Sequence, residues 1–325
     1  MAGRRAPGMI RLGVVSNPRS GRNRRRGLGV AADAARRADA PHVVLDSMTD
    51  LPAIMATFAR QGVGVIVIDG GDGTVRSTIA AALAEPGFSA APRFAALGSG
   101  TTNMVAGDVG VIGAPGAAFA RLADRAKSGD LARHVVERRL LAVETGARSE
   151  LGFFLGAGAI VWGTRFTRRH IERGRLVNGL GSVLGVTATV GRLLLGGARG
   201  PLAAGTPMAV GYDDAQPLAG ARLLLAVTTL DRLLLGLRPF WGTGPGALRT
   251  LDIAAPPRRC ARGPPAPARG RPRPWMAEAG YRSLNADRIT IEIDDDVLID
   301  GEWCRASPGR PLVLKPGAAV GFVRP

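Results

Sequence analysis

Cysteine is nearly absent. Cys260 and Cys304 are the only two in 325 residues; they lack metal-site spacing and give no disulfide framework, so a reducing compartment is expected. Histidine is almost as scarce. His42, His134 and His170 are scattered without ligand spacing and read as structural. Lysine occurs only at Lys127 and Lys315, so the formal net charge of +17 is carried almost wholly by arginine. Aromatic residues make up only 5% of the chain. With no recognisable reading module, that poverty argues against a nucleic-acid partner despite the basic charge. Long hydrophobic runs are missing too. The longest weakly charged stretches, Leu151–Thr164 and Leu176–Gly191, are short and glycine-rich for a spanning helix. Arg4 and Arg5 precede no apolar core of a signal peptide, so none is expected.

What the chain does have is glycine, 46 residues of it, and a hydrophobic fraction of 46%. A sizeable core is implied, in one large domain or two smaller ones. A field of +17 attracts nucleic acid, anionic lipid and polyanionic substrates alike, and an arginine-rich coding bias would also produce it. The first 130 or so residues alternate strand and helix. Strand-like runs are Ile10–Val15, His42–Leu45, Val63–Ile68 and Arg93–Leu97; helical stretches are Arg24–Ala38, Asp50–Gln61, Val75–Ala84 and Ala114–Lys127. This rhythm predicts a parallel sheet with helices on its faces, and such sheets bind ligands beyond the carboxyl ends of their strands. From about Arg133 strands recur with little helix: Val135–Val143, Leu151–Leu155, Pro207–Gly211, Arg222–Thr228, Arg288–Ile293 and Val297–Ile299. A mostly antiparallel β domain follows, interrupted by a helical insertion near 165–195. Pro256–Pro274 reads as a Pro/Arg-rich surface loop.

Three polar, glycine-bearing loops fall at the carboxyl ends of the early strands. Asp69-Gly70-Gly71-Asp72-Gly73-Thr74 joins an apolar strand to a helix, the arrangement of a phosphate cradle. A tight turn alone would explain two glycines but not Asp72, which makes sense mainly if it holds a metal ion or a proton. No Gly-Lys-Ser/Thr ending follows, which excludes the familiar P-loop, and the third glycine of a dinucleotide fingerprint is missing. Asn17-Pro18-Arg19-Ser20-Gly21 and Gly98-Ser99-Gly100-Thr101-Thr102-Asn103 read either as helix-capping turns or as further nucleotide loops. Asp300-Gly301-Glu302 follows the apolar strand Val297–Ile299, and its Asp-Gly pair is a common hairpin signal. Asp294-Asp295-Asp296 reads as a charged turn of a hairpin rather than a metal site.

The four motifs, in this order and rough spacing, resemble the diacylglycerol kinase catalytic family, which includes bacterial soluble lipid kinases, sphingosine kinases and ceramide kinases and shares its fold with NAD kinases. The resemblance extends over nearly the whole chain. It implies an α/β ATP-binding domain over 1–132 and a β-sandwich lipid-binding domain over 133–310, with strands from 311–325 returning to the first. It also implies ATP and Mg²⁺ as cofactors. Asn17, Ser20 and Gly21 would approach ATP; Gly70, Gly71, Gly73 and Thr74 would hold phosphates; Gly100 and Thr101 would complete the nucleotide site. Asp72 would lie near Mg²⁺ and take part in catalysis. Glu302 would be the general base that removes the proton from a lipid hydroxyl.

Three positions depart from the family pattern. Met104 stands where an acid is common, with Asp108 a possible substitute. Glu144 falls where Asp is common. The Asp-Gly element linked in bacterial members to a structural Mg²⁺ is not visible in Gly242–Asp252. The resemblance therefore predicts an ATP-dependent lipid kinase in the cytoplasm, peripherally associated with the inner, anionic membrane face. Oligomeric state stays open, a homodimer included. NAD kinase and a catalytically degenerate nucleotide- or lipid-binding homologue are the alternatives.

Overall fold

The computed structural model describes residues 10–110, 114–146, 148–172, 201–256, 270–306 and 309–324. It divides into two compact units: Met1–Arg138 with Leu234–Gly236 and Ala319–Pro325, and Arg139–Leu233 with Leu237–Ala318.

In the first unit, β1 (Arg11–Ser16), β2 (His42–Val44), β3 (Val63–Asp69) and β4 (Arg93–Ala96) form a parallel sheet in the order β2–β1–β3–β4. The last strand of the chain, β16 (Leu312–Val323), adds Phe322 beside Phe94, also in parallel. Val65, Ile66, Val67 and Ile68 are all fully buried. A parallel strand covered on both faces by helices reads as such a continuous apolar run. On one face Val14, Val65, Val67 and Ala95 pack with Phe119 and Leu122 of α6 (Pro115–Ser128). The helices before it are α1 (Asn23–Arg26), α2 (Gly29–Arg37), α3 (Leu51–Arg60), α4 (Asp72–Ala84) and the short α5 (Met104–Asp108). Gly13 of β1 leaves room for Phe58 of α3: a Cβ there would meet Phe58 Cε2 at 2.9 Å.

Two boundaries differ from expectation. The single helix predicted over Arg24–Ala38 is two, broken at Gly27, whose φ of 72° lies in the left-handed region. The helix predicted to begin at Val75 begins at Asp72, so Asp72, Gly73 and Thr74 form its first turn.

In the second unit the pairings are antiparallel. β7 (Phe154–Gly158), β8 (Thr206–Tyr212), β9 (Leu218–Thr228), β13 (Ile289–Ile293), β14 (Asp296–Ile299) and β15 (Glu302–Arg305) lie in the order β15–β14–β7–β9–β8–β13, followed by the first half of β16. β10 (Leu248–Ala254) pairs with β9 and with the two-residue strands β11 (Tyr281–Arg282) and β12 (Asn285–Ala286). β5 (Val135–Thr145) pairs with β6 (Arg148–Gly152). Leu141, Leu155, Val210, Leu225, Ile291 and Val297 are among the side chains of its main core. Helix α7 (Ala159–Glu172) follows β7.

The strand predicted over Leu151–Leu155 is interrupted at Phe153, between β6 and β7. The Asp300 carboxylate causes the break by accepting hydrogen bonds from the Phe153 and Phe154 N–H groups, at 3.1 and 3.0 Å. Asp294–Asp296 is not a hairpin turn, because β13 and β14 pair with other strands and not with each other. Asp295 and Asp296 instead hold Arg165, at 2.9 and 2.6 Å. The predicted 165–195 insertion is described only to Glu172; its remainder, and 257–269 of the predicted loop, lie outside the described residues. Among the described residues no helix is long and apolar enough to cross a membrane.

Candidate active site

The carboxyl ends of β1, β3 and β4 carry the three glycine-bearing loops, and main-chain hydrogen bonds tie each loop to the next. Asn17 N–H donates to Asp69 O at 3.0 Å, Ser99 N–H to Gly70 O at 3.0 Å, and Arg22 N–H to Ser99 O at 2.9 Å. The glycines are set by contact. A Cβ on Gly71 would sit 3.0 Å from the Gly100 Cα, and one on Gly100 would be driven into the Gly71 backbone. A Cβ on Gly21 would fall 2.7 Å from the Thr101 hydroxyl oxygen. Gly21, Gly71, Gly100 and Thr101 therefore form one close-packed junction rather than three separate turns.

Side chains reinforce it from below. Asn17 Nδ2 donates to Thr74 Oγ1 at 2.9 Å, and the Gly71 N–H donates to Ser20 Oγ at 3.2 Å. Asn103 braces its own loop, accepting from Gly100 N–H at 2.7 Å and donating back to Gly100 O at 3.0 Å. Beneath all three loops lies Asp69, 3% exposed. Its carboxylate accepts from Ser16 Oγ at 3.0 Å and from Ser99 Oγ, while its carbonyl also accepts from Asn23 Nδ2 at 3.0 Å. His42 Nε2 lies 2.9 Å from Ser16 Oγ and extends the chain of polar contacts. Burial pushes the His42 pKa down, and the Asp69 charge opposes that shift. Asp69, Ser16, Ser99, Asn23 and His42 were missed as a group from sequence. The available signal was an acid closing an otherwise apolar strand.

Asp72 opens α4 and reaches the third loop. Its two carboxylate oxygens accept from Met104 N–H at 3.0 Å and Val105 N–H at 2.9 Å, capping the start of α5. Burial raises its pKa, and these two backbone donors partly offset the rise. The expectation that Asp72 needs a metal or a proton thus overlooked a third role, bracing one loop against another. Position 104 takes part through its main chain, which any residue supplies, so Met104 costs this contact nothing. Asp108 does not stand in at this point; it is buried against Arg138, whose Nε lies 2.5 Å from Asp108 Oδ2.

The structure thus brings together Asn17, Ser20, Gly21, Gly70, Gly71, Asp72, Gly73, Thr74, Gly100 and Thr101. Glu302 belongs to the other unit. It is exposed and opens β15 directly after Asp300 and Gly301, whose φ values of 49° and 88° make the tight hairpin turn. In that unit Glu144 pairs with Lys315 at 2.8 Å. Asp252 is buried against Arg222 at 2.7 Å and accepts from the Tyr212 hydroxyl at 3.2 Å. Among the described residues no group of three or more His, Cys, Asp or Glu side chains is placed to hold a metal ion.

All three loops lie inside a segment that matches a known domain. Residues 11–134 match the diacylglycerol kinase catalytic domain. Among solved structures, a diacylglycerol kinase from Bacillus anthracis is similar over 97% of both chains, at 15% identity and a TM-score of 0.60. A candidate diacylglycerol kinase of the same organism matches over 97% of both chains at 16% identity, with a TM-score of 0.62. At such identities these likenesses establish the fold: an N-terminal parallel α/β part followed by antiparallel strands. No curated protein matches the sequence. The three glycine-bearing loops thus lie within a segment similar to a diacylglycerol kinase catalytic domain, which supports kinase chemistry.

Proposed function

We propose that the chain transfers the γ-phosphate of ATP to a hydroxyl of a lipid such as diacylglycerol, a sphingoid base or ceramide. The observation that carries this reading is the start of α4 at Asp72, held beside the other two loops by the close packing of Gly21, Gly71 and Gly100. The first N–H groups of an α-helix have no intrahelical acceptor and carry partial positive charge, which suits a polyphosphate. Thr74, Ser20 and Asn17 fix that helix start against the first loop. Mg²⁺, when bound, offsets charge on the phosphates during transfer. Asp72 is the acid of the cradle that would hold it: each carboxylate oxygen accepts one backbone hydrogen bond from the start of α5 and keeps a second lone pair.

Glu302 serves as the general base. A carboxylate within hydrogen-bond reach of an alcohol raises its nucleophilicity by taking the proton as the oxygen attacks. Its exposed position at the tight turn between β14 and β15 lets an acceptor hydroxyl approach the carboxylate. The acceptor resides in a bilayer, so the protein works as a peripheral enzyme on an anionic membrane surface in the cytoplasm, and the charge of +17 favours that location. Incubation with γ-labelled ATP, Mg²⁺ and a mixed lipid extract tests the reading. Label in a chloroform-soluble product is the expected result. Label in NADP would assign the chain to the NAD kinases, and no label in either would leave a binding protein.

A further inference from the structure

Nine large hydrophobic side chains are exposed among the described residues, and the aromatic ones are Trp162, Phe166 and Trp303. All three belong to the second unit. Trp162 and Phe166, 40% and 41% exposed, stack on the surface of α7 with ring centroids 5.2 Å apart. They lie four residues apart on one helix face that continues to the exposed Arg169, while Ala159 and Val161 are buried. Arg165, on the same helix, places its guanidinium 5.4 Å from the ring centroid of Trp303 on β15, within cation–π range. Asp295 and Asp296 hold Arg165 in that position, and Arg305 lies 3.5 Å from Asp296. One arginine thus joins the aromatic pair of α7 to the tryptophan of β15.

Among the described residues the exposed aromatic side chains gather around Arg165, with the exposed Arg169 on the same face of α7 as Trp162 and Phe166. Trp162 and Trp303, 40% and 36% exposed, would each bury further apolar area if that face were covered. Tryptophan and phenylalanine beside an exposed arginine match the headgroup boundary of a bilayer: rings enter the acyl edge while the guanidinium meets phosphate. The exposed Arg169 on that face and the chain's net charge of +17 favour a negatively charged surface.

We infer that Trp162, Phe166 and Trp303, with the exposed Arg169 of α7, form the docking surface for an anionic lipid bilayer. The inference rests on the lipid-kinase reading for its purpose, but docking is measured without nucleotide or turnover. The test is co-sedimentation of the full chain with vesicles of phosphatidylglycerol and phosphatidylcholine, alongside vesicles of phosphatidylcholine alone. The protein is expected to partition onto the charged vesicles, with a blue shift of tryptophan emission, and rising salt weakens the partition. The combined substitution Trp162→Ala, Phe166→Ala and Trp303→Ala lowers partition by roughly tenfold or more and leaves ATP-analogue affinity unchanged. Arg169→Glu, an exposed charge reversal, weakens binding to the charged vesicles only. Undiminished partition in the triple variant overturns the inference. So does a triple variant whose sole change is loss of self-association, which would assign the patch to a second copy of the chain. Vesicle docking through these residues without any labelled lipid product would uphold the surface and remove the lipid-kinase reading.

Discussion

Replacing Gly100 by alanine tests the close approach on which the nucleotide cradle depends. Carbon atoms in ordinary contact are about 3.5–4.0 Å apart. The reciprocal substitution at Gly71 would place a Cβ 3.0 Å from the Gly100 Cα, and the Gly100 Cβ would come closer still to Gly71. Both neighbours are backbone atoms, so no side chain can rotate away, and the second and third loops must separate by about 1 Å. Overpacking of this kind costs about 1–3 kcal/mol of stability. The larger effect falls on function, because a displacement near 1 Å at a reacting group costs about a hundredfold in rate. Urea unfolding measures the first quantity; titration with a non-hydrolysable ATP analogue and steady-state turnover measure the second. Gly107→Ala is the control. It lies exposed in α5, and the methyl carbon that alanine adds there would meet nothing within 4 Å, so affinity and turnover should match the parent. A folded Gly100→Ala protein with parental affinity and turnover would refute the reasoning.

Glu302→Gln should abolish lipid labelling while nucleotide titration stays parental; retained turnover would remove Glu302 from the base role. Asp300→Ala should destabilise the protein by about 3 kcal/mol in urea unfolding, because two backbone N–H groups lose a charged acceptor. Asp300→Asn, which keeps an acceptor oxygen and tolerates the left-handed turn, should recover much of that loss. His42 contributes to the pH dependence of stability. Its folded pKa lies below its ordinary value of 6.5, so the unfolded chain binds more protons in the interval between the two. The contribution is present above 6.5 and is lost as the pH falls toward the folded pKa. His42→Gln should therefore flatten the unfolding free energy across that interval, and an unchanged slope would contradict the burial argument.

The parallel half was legible because its strands are covered on both faces and read as unbroken apolar runs, Val63–Ile68 above all. The loops were legible because glycine and hydroxyl residues cluster where those runs end. Contacts formed by residues far apart in sequence were not. Asp72 meets the Met104 N–H across 32 positions, and no side-chain pattern announces a main-chain donor. The break between β6 and β7 is made by Asp300, 147 residues beyond Phe153. Asp69 read as the first letter of a glycine motif, and only the folded sheet sets it beside Ser16 and Ser99. β10 was missed because the glycine-rich stretch before Leu248 hides the strand that follows. The patch of Trp162, Phe166 and Trp303 joins two distant segments through Arg165, a link absent from any local window.

Hydrogen exchange of the backbone amides with and without a non-hydrolysable ATP analogue and Mg²⁺ addresses the central claim directly. The account predicts slowed exchange at 17–21, 70–74 and 98–103 together, since the three loops act as one junction around the triphosphate. Protection confined to other segments, with these amides unchanged, would contradict it.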